Sequence, residues 1–502
     1  MWGKHYKKIC FVLTAFNILI ASWFFLNGDL YFHSDIGRDF MLLAEIEEKG
    51  YILIGARTGA SGVYHGVFWY FLNFPAYFLS NGNPVVVEGF WILLSVAFLA
   101  GGFWVCKNLF SKRVGYYFIV LASSYLVWRT NTFSHPDGAT LLTIFFFYTF
   151  WKYIETLKLK YLAVNVFLSG FLIHLELVTG WPLFLLSVPL ALIFQYKGKK
   201  LLHASAFFLI LIPLLPYIVF ELRHDFFQLR NLWAFITQST IGGGGEHYSR
   251  VFINRLEYMF NDGIKLVDIG QVNRVVVGFF VVVFMRVLFA SESKRLYFTF
   301  LYFFMGFFIF SLAVPFFLLR HHFVTFYPVV LLVFCSVLAN KYGKVLLPLF
   351  FLVVVISEIA AIGQVMKPDT NADFNRDSWK SLNAIASDVF TDTPGEFGYF
   401  VNSPDKFGYS ANYAMVYRNK VDGKNRAQYF EKRPVTYVVT APPPLNSDFD
   451  TDIWMKNGIN IKTVPTYVNS YSNGYKVYRF DLSNEDVAVP YSPLEDIGIH
   501  FR

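Results

Sequence analysis

Long apolar runs alternate with short basic loops along most of this chain, and that alternation fixes the fold class before any single residue is considered. About eleven runs can supply a membrane-crossing helix of roughly 20 residues. They fall near 9–27, 85–105, 114–129, 138–155, 160–177, 181–196, 201–221, 273–290, 296–318, 323–339 and 344–364. In hydrocarbon every backbone N–H and C=O must be satisfied within the segment, so such runs are helices. Only 16% of the 502 residues are charged, against about 25% in soluble domains. The expected class is an α-helical polytopic membrane protein.

The formal charge of +8 does not imply a nucleic-acid partner, because the basic residues sit in the short loops. Lys4, Lys7 and Lys8; Lys107, Lys112 and Arg113; Lys152, Lys158 and Lys160; Lys197, Lys199 and Lys200; Lys294 and Arg295; and Lys341 and Lys344 all fall on one face of an eleven-span arrangement. Positive loops mark the cytoplasmic side. The N-terminal run then reads as an uncleaved first span with its start inside. Loop 28–84, the connection 130–137, loop 222–272 and the polar tail lie on the opposite side. Three cysteines, all in or beside apolar runs, supply neither a disulfide framework nor a metal site.

Loop 28–84 is the richest in chemistry. The run from Ile36 to Glu48 predicts a helix, on which Asp35, Arg38 and Asp39 share one face at its start. A bland alternative makes Asp35 a helix cap. A Gly-rich turn from Gly55 to Gly66 carries His65. Val67 to Leu79 is apolar and aromatic but too short to span, as suits an interfacial helix. The second outer connection, NTFSHPDG, brings Asp137, which is either a cap for the next span or a second acid. His174 and Glu176 close the fifth span, and Glu221, Arg223, His224 and Asp225 close the seventh. Arg320, His321 and His322 lie at the outer end of the ninth span, where cations hold phosphate or simply anchor at the interface. The Gly242–Gly245 run reads as a connector or a flap.

From about residue 366 the chain turns polar. Runs at Gly398–Val401, Val435–Thr440, Ile461–Val468 and Tyr475–Phe480 read as strands, and Asp377–Phe390 and Tyr409–Arg418 as helices. A division into a membrane domain, 1–365, and an extracytoplasmic α/β domain, 366–502, follows. Nucleotide-binding and hydrolase motifs are absent, so any reaction draws on an activated substrate delivered in the membrane.

The strings HSDIGRDF, LIGARTGASGVYHGVFWYFLNFPA, LPYIVFELRHDF and LRHHFVTFYP, in this order, resemble stretches of the bacterial protein-mannosyltransferase-like group of C-type membrane glycosyltransferases. The resemblance implies transfer of a hexose or pentose from a polyprenyl-phosphate sugar to a glycan, lipid or protein acceptor. Transfer would take place on the outer face of the plasma membrane, with inversion at the anomeric carbon. The first-loop acid of that group falls on Asp35. Many members carry Glu next to it, whereas this chain has Ile36, so a second acid would have to be Asp39 or Asp137. Arg38, His65, His174, Glu176, Arg320, His321 and His322 are the expected substrate contacts. No cofactor is required by these residues, no metal ligands are assigned, and a divalent metal is compatible with such a site. The competing reading is a transporter or flippase of lipid-linked sugars, which needs ionisable residues at the bilayer midplane. Here they gather at span ends.

Overall fold

The computed structural model describes the chain except residues 1, 128, 239–247, 265, 267–269, 314–319, 341–346, 367–374, 405–406, 444–450 and 492–502. The Gly242–Gly245 run lies outside the described residues. The chain forms two compact units: Met1–Ser22, Leu53–Leu72 and Trp91–Gly363 make one, and Trp23–Ile52, Asn73–Phe90 and Gln364–Arg502 the other.

The first unit is a helical bundle, and each of the eleven expected spans coincides with a helix or helix pair. Among the described residues, four helices are long and apolar enough to cross a membrane: Pro84–Leu109, Leu177–Lys197, Asn273–Ala290 and Lys294–Ala313. The pair Leu201–Leu211 and Leu215–Arg223 makes a fifth if its 59° bend belongs to one span. Leu159–Leu175 and Tyr327–Ala339 are shorter apolar helices. The protein is a multi-pass membrane protein. Small residues let helices approach: a Cβ at Gly180 would lie 2.3 Å from the Ile173 amide nitrogen. That contact permits the abrupt turn at Glu176 between helices Leu159–Leu175 and Leu177–Lys197.

The second unit contains a five-stranded mixed sheet of order β2-β1-β3-β5-β4. Its strands are β1 (Phe397–Asn402), β2 (Ala427–Tyr429), β3 (Val435–Thr440), β4 (Tyr467–Ser470) and β5 (Lys476–Asp481). β1 pairs in parallel with β2 and β3, and β5 is antiparallel to β3 and β4. Strand alternation gives the sheet two faces. Phe400, Val438 and Phe480 pack with Met455, Ile459 and Ile461 on one. Tyr399 on the other donates its hydroxyl to Asn412 Oδ1 at 2.8 Å, in helix Tyr409–Asp422. The expected strand at Ile461–Val468 starts later, at Tyr467, and the three-residue β2 was not legible as a run.

The same unit holds helix Ser34–Lys49 of the first loop. Its stop is local: Gly50 adopts φ 82° and its amide returns to Ile46 O at 2.7 Å. Its start is tied to the tail. Phe32 N donates to Asp377 O at 2.8 Å and Trp379 N to Leu30 O at 3.0 Å. The Ser378 hydroxyl and the Lys380 amide both donate to the Asp29 carboxylate. Phe32, Phe40, Trp379 and Tyr413 form an aromatic cluster around that junction.

Phe400→Ala empties the sheet core and should cost about 3–5 kcal/mol. The expected outcome is earlier urea-dependent proteolysis within 375–491, with cleavage elsewhere unchanged.

Candidate active site

The site residues named from sequence fall into two groups, one in each unit. In the second unit, Asp35 is in the first turn of helix Ser34–Lys49. The N-cap is His33, with no side-chain capping bond, so Asp35 does not cap this helix. Arg38 Nη1 donates to Asp35 Oδ1 at 2.8 Å, and its Nε and Nη2 reach Asp39 Oδ1 at 3.3 and 3.1 Å. One guanidinium thus bridges two carboxylates, and the bond to Asp35 follows the i,i+3 spacing. The carboxylates differ in access: the Asp35 side chain is 64% exposed and that of Asp39 only 6%. An exposed carboxylate can meet a substrate proton, whereas a buried one chiefly holds the arginine. Burial outweighs the attraction of Asp35, Asp377 and Asp39 and lowers the His33 imidazole below its ordinary value. His33 beside Asp35 is therefore neutral near pH 7.

In the first unit, Glu176 stands between two helices with extended backbone, φ −149° and ψ 97°. It is buried among three imidazoles. His322 Nε2 is 3.4 Å from Oε1, and His135 Nδ1 is 3.9 Å from Oε2. The ring of His65 lies against that of His135, centroids 4.2 Å apart. Neither Glu176 oxygen accepts a directed hydrogen bond, so these are charge contacts. A desolvated carboxylate requires compensation nearby, and imidazoles are the polar side chains that stand closest to it, although His135 Nδ1 is itself bonded to Leu175 O at 2.7 Å. Thr325 joins the surroundings, its hydroxyl 3.2 Å from that of Thr179 and its carbonyl accepting from Thr143 Oγ1 at 2.7 Å. The side chains of Arg320 and His321 lie outside the described residues.

His174 adjoins this cluster in sequence but is fully engaged within the protein. Nδ1 accepts from Val67 N at 3.1 Å, so the proton is on Nε2, which donates to Pro213 O. Gly66 is necessary there: a Cβ would lie 1.9 Å from His174 Nδ1. Asp137 is likewise occupied. Arg129 Nε and Nη2 grip its two oxygens at 2.7 and 3.0 Å, and Oδ2 accepts from Ser134 N at 2.9 Å and Ser134 Oγ at 3.1 Å. Asp137 is thus the N3 partner of Ser134 at the start of helix His135–Thr156. Glu221 accepts from the amides of Gln228 and Leu229 at 3.2 and 3.3 Å. Among the described residues, no group of three or more His, Cys, Asp or Glu is arranged to hold a metal ion.

No family model and no curated protein matches the sequence. Solved structures do match the fold. ArnT from Cupriavidus metallidurans bound to undecaprenyl phosphate superposes with a TM-score of 0.61 at 12% identity, covering 96% of this chain and 98% of that one. ArnT from the same organism in the apo state gives 0.60 at 10% identity, covering 93% and 97%. The fold is that of these ArnT structures. Coverage near the full length of both chains places the polar tail inside that likeness.

Two residues of the helical bundle escaped sequence reading. His135 sits inside NTFSHPDG but was overshadowed by Asp137. Arg129 lies eight residues before its partner, at the end of an apolar run, where a basic residue suggests only an interfacial anchor. The pairing of His135 with Glu176 has no local signal.

His174→Ala leaves the Val67 amide and the Pro213 carbonyl without their partner, at about 1–3 kcal/mol each. The expected outcome is a lowered melting temperature in detergent.

Proposed function

We propose that the protein transfers a sugar from a polyprenyl-phosphate donor to an acceptor at the outer membrane surface, with Asp35 as the base that deprotonates the acceptor. One observation carries the assignment: Asp35 is an exposed carboxylate, off the capping position, oriented by Arg38 at the start of a loop helix. Attack at an anomeric carbon requires a base for the acceptor proton, and the departing lipid phosphate requires positive charge. The acceptor oxygen gives its proton to Asp35 and forms the new bond to the anomeric carbon. The bond to the phosphate oxygen breaks, and the lipid phosphate leaves with its electron pair. Direct displacement inverts that carbon. The transferred sugar is a hexose or pentose. His322, with Arg320 and His321 beside it in sequence, is the proposed contact for the donor phosphate. His65 and the Glu176 cluster adjoin His322 as further substrate contacts. A C-type likeness to a protein bound to undecaprenyl phosphate supports a polyprenyl-phosphate ligand.

The basic loops support a cytoplasmic N-terminus and an extracytoplasmic tail in the plasma membrane. A reporter fused near residue 430 should be active outside the membrane; cytoplasmic activity there removes Asp35 from the outer face.

Asp35→Asn keeps the shape and removes the charge. Turnover should fall by roughly two orders of magnitude or more with undecaprenyl phosphate binding intact, measured on a panel of polyprenyl-phosphate sugars. Full activity in Asp35→Asn, with loss in Asp39→Asn or Asp137→Asn, moves the base to that residue. Absence of transfer with every sugar, together with vesicle translocation of lipid-linked sugar, favours the flippase reading. Arg320→Ala should weaken undecaprenyl phosphate binding about tenfold or more, the scale of one charge-assisted contact.

A further inference from the structure

Helix Ser34–Lys49 has a feature that its charged face does not require. Gly37, between Asp35 and Arg38, lies against the backbone of helix Tyr409–Asp422: a Cβ there would lie 2.7 Å from Ser410 N, 2.8 Å from Tyr409 C and 2.9 Å from Ser410 Cα. These are backbone atoms and cannot swing aside, so only glycine permits the approach. Ten residues further along both helices, Lys420 pairs with Glu47 and its ammonium lies 4.8 Å from the Tyr77 ring centroid. Ten helical residues rise about 15 Å. Contacts at 37 with 410 and at 47 with 420 therefore mean that the two helices run parallel and in step. The Tyr413 hydroxyl extends the junction by donating to Gly82 O at 2.6 Å.

The arrangement fixes the Asp35 turn from behind. Asp29 is held by Ser378 and Lys380, Phe32 by the Asp377 carbonyl, and Gly37 by the Ser410 peptide. Asp35 thus stands between two backbone attachments to the tail, five residues apart in the chain, while its own carboxylate is exposed.

We infer that the C-terminal α/β domain is the platform that sets the position of Asp35, and that Gly37 is a positioning residue for the transfer reaction. The inference rests on the reading of Asp35 as the base. A carboxylate that must meet an acceptor proton tolerates little displacement, and about 1 Å can cost roughly 100-fold. A methyl group at residue 37 would lift the helix start off the Tyr409–Asp422 helix by that order.

The test compares wild type, Gly37→Ala and Val438→Ala in the full-length protein. Turnover is measured with the polyprenyl-phosphate sugar that supports transfer, and undecaprenyl phosphate serves as the binding probe. Val438 belongs to the core on the sheet face away from helix Tyr409–Asp422, so its truncation weakens the domain without touching the helix pair. Gly37→Ala should lose about 10- to 100-fold in kcat, with donor KM and undecaprenyl phosphate affinity within about twofold of wild type. Val438→Ala, assayed where its domain is folded, should keep wild-type kcat. Wild-type turnover in Gly37→Ala, or an equal loss in Val438→Ala, overturns the inference. If Gly37→Ala does not accumulate as folded protein, Lys420→Gln decides: kcat falls roughly two- to fivefold, the scale of one partly exposed ion pair, and Lys420→Arg restores it. No change in Lys420→Gln then overturns the inference. The two readings fail differently: an active Asp35→Asn removes the base, whereas an inactive Asp35→Asn beside a fully active Gly37→Ala removes only the platform.

Discussion

Charge taken out of water must be compensated where it sits, and this requirement shapes most of the chemistry in the molecule. A carboxylate desolvated without a partner costs several kcal/mol even after relaxation. Asp137 is matched by a bidentate Arg129 and Asp39 by Arg38, while Glu176 lies among imidazoles. Asp35 shares that same arginine but keeps its carboxylate open. The exception is informative: a group that is paired, oriented and still accessible can act on something from outside.

The first loop unites two kinds of structure. Its aromatic helix, Phe68–Leu79, is apolar along nearly its whole length, while helix Ser34–Lys49 is amphipathic and carries the acidic residues. The loop is also divided between the units, with 23–52 and 73–90 in the unit of the tail and 53–72 in that of the bundle. Within the tail's unit the loop is an integral part of the packing, because it supplies Phe32 and Phe40 to a core completed by Trp379 and Tyr413. Asp35 and Gly37 share one helical turn: the first is exposed, and the second packs against the Ser410 backbone.

Much of this was legible in the sequence because its causes are local. Apolar run length decides what forms a helix in hydrocarbon, and every expected span coincides with a helix or helix pair. Spacing by three and four residues put Asp35, Arg38 and Asp39 on one face, where they are found bonded together. Short β-type runs marked β1, β3 and β5, and β1 and β3 are buried along nearly their whole length. β2 was missed because three residues contain too little pattern to distinguish from a turn.

What tertiary structure decided has no local signature. Asp29 meets Ser378 across 349 residues and Glu47 meets Lys420 across 373. The imidazoles around Glu176 come from positions 65, 135 and 322. Hydropathy and periodicity report how a segment treats water and its own neighbours within a turn or two; they say nothing of which distant segment will fill the space beside it. That choice depends on shape and charge complementarity across the whole fold. The clearest case is Gly37: as a sequence feature it is only a weak point in a helix, and the Ser410 backbone against it supplies the reason that no side chain stands there.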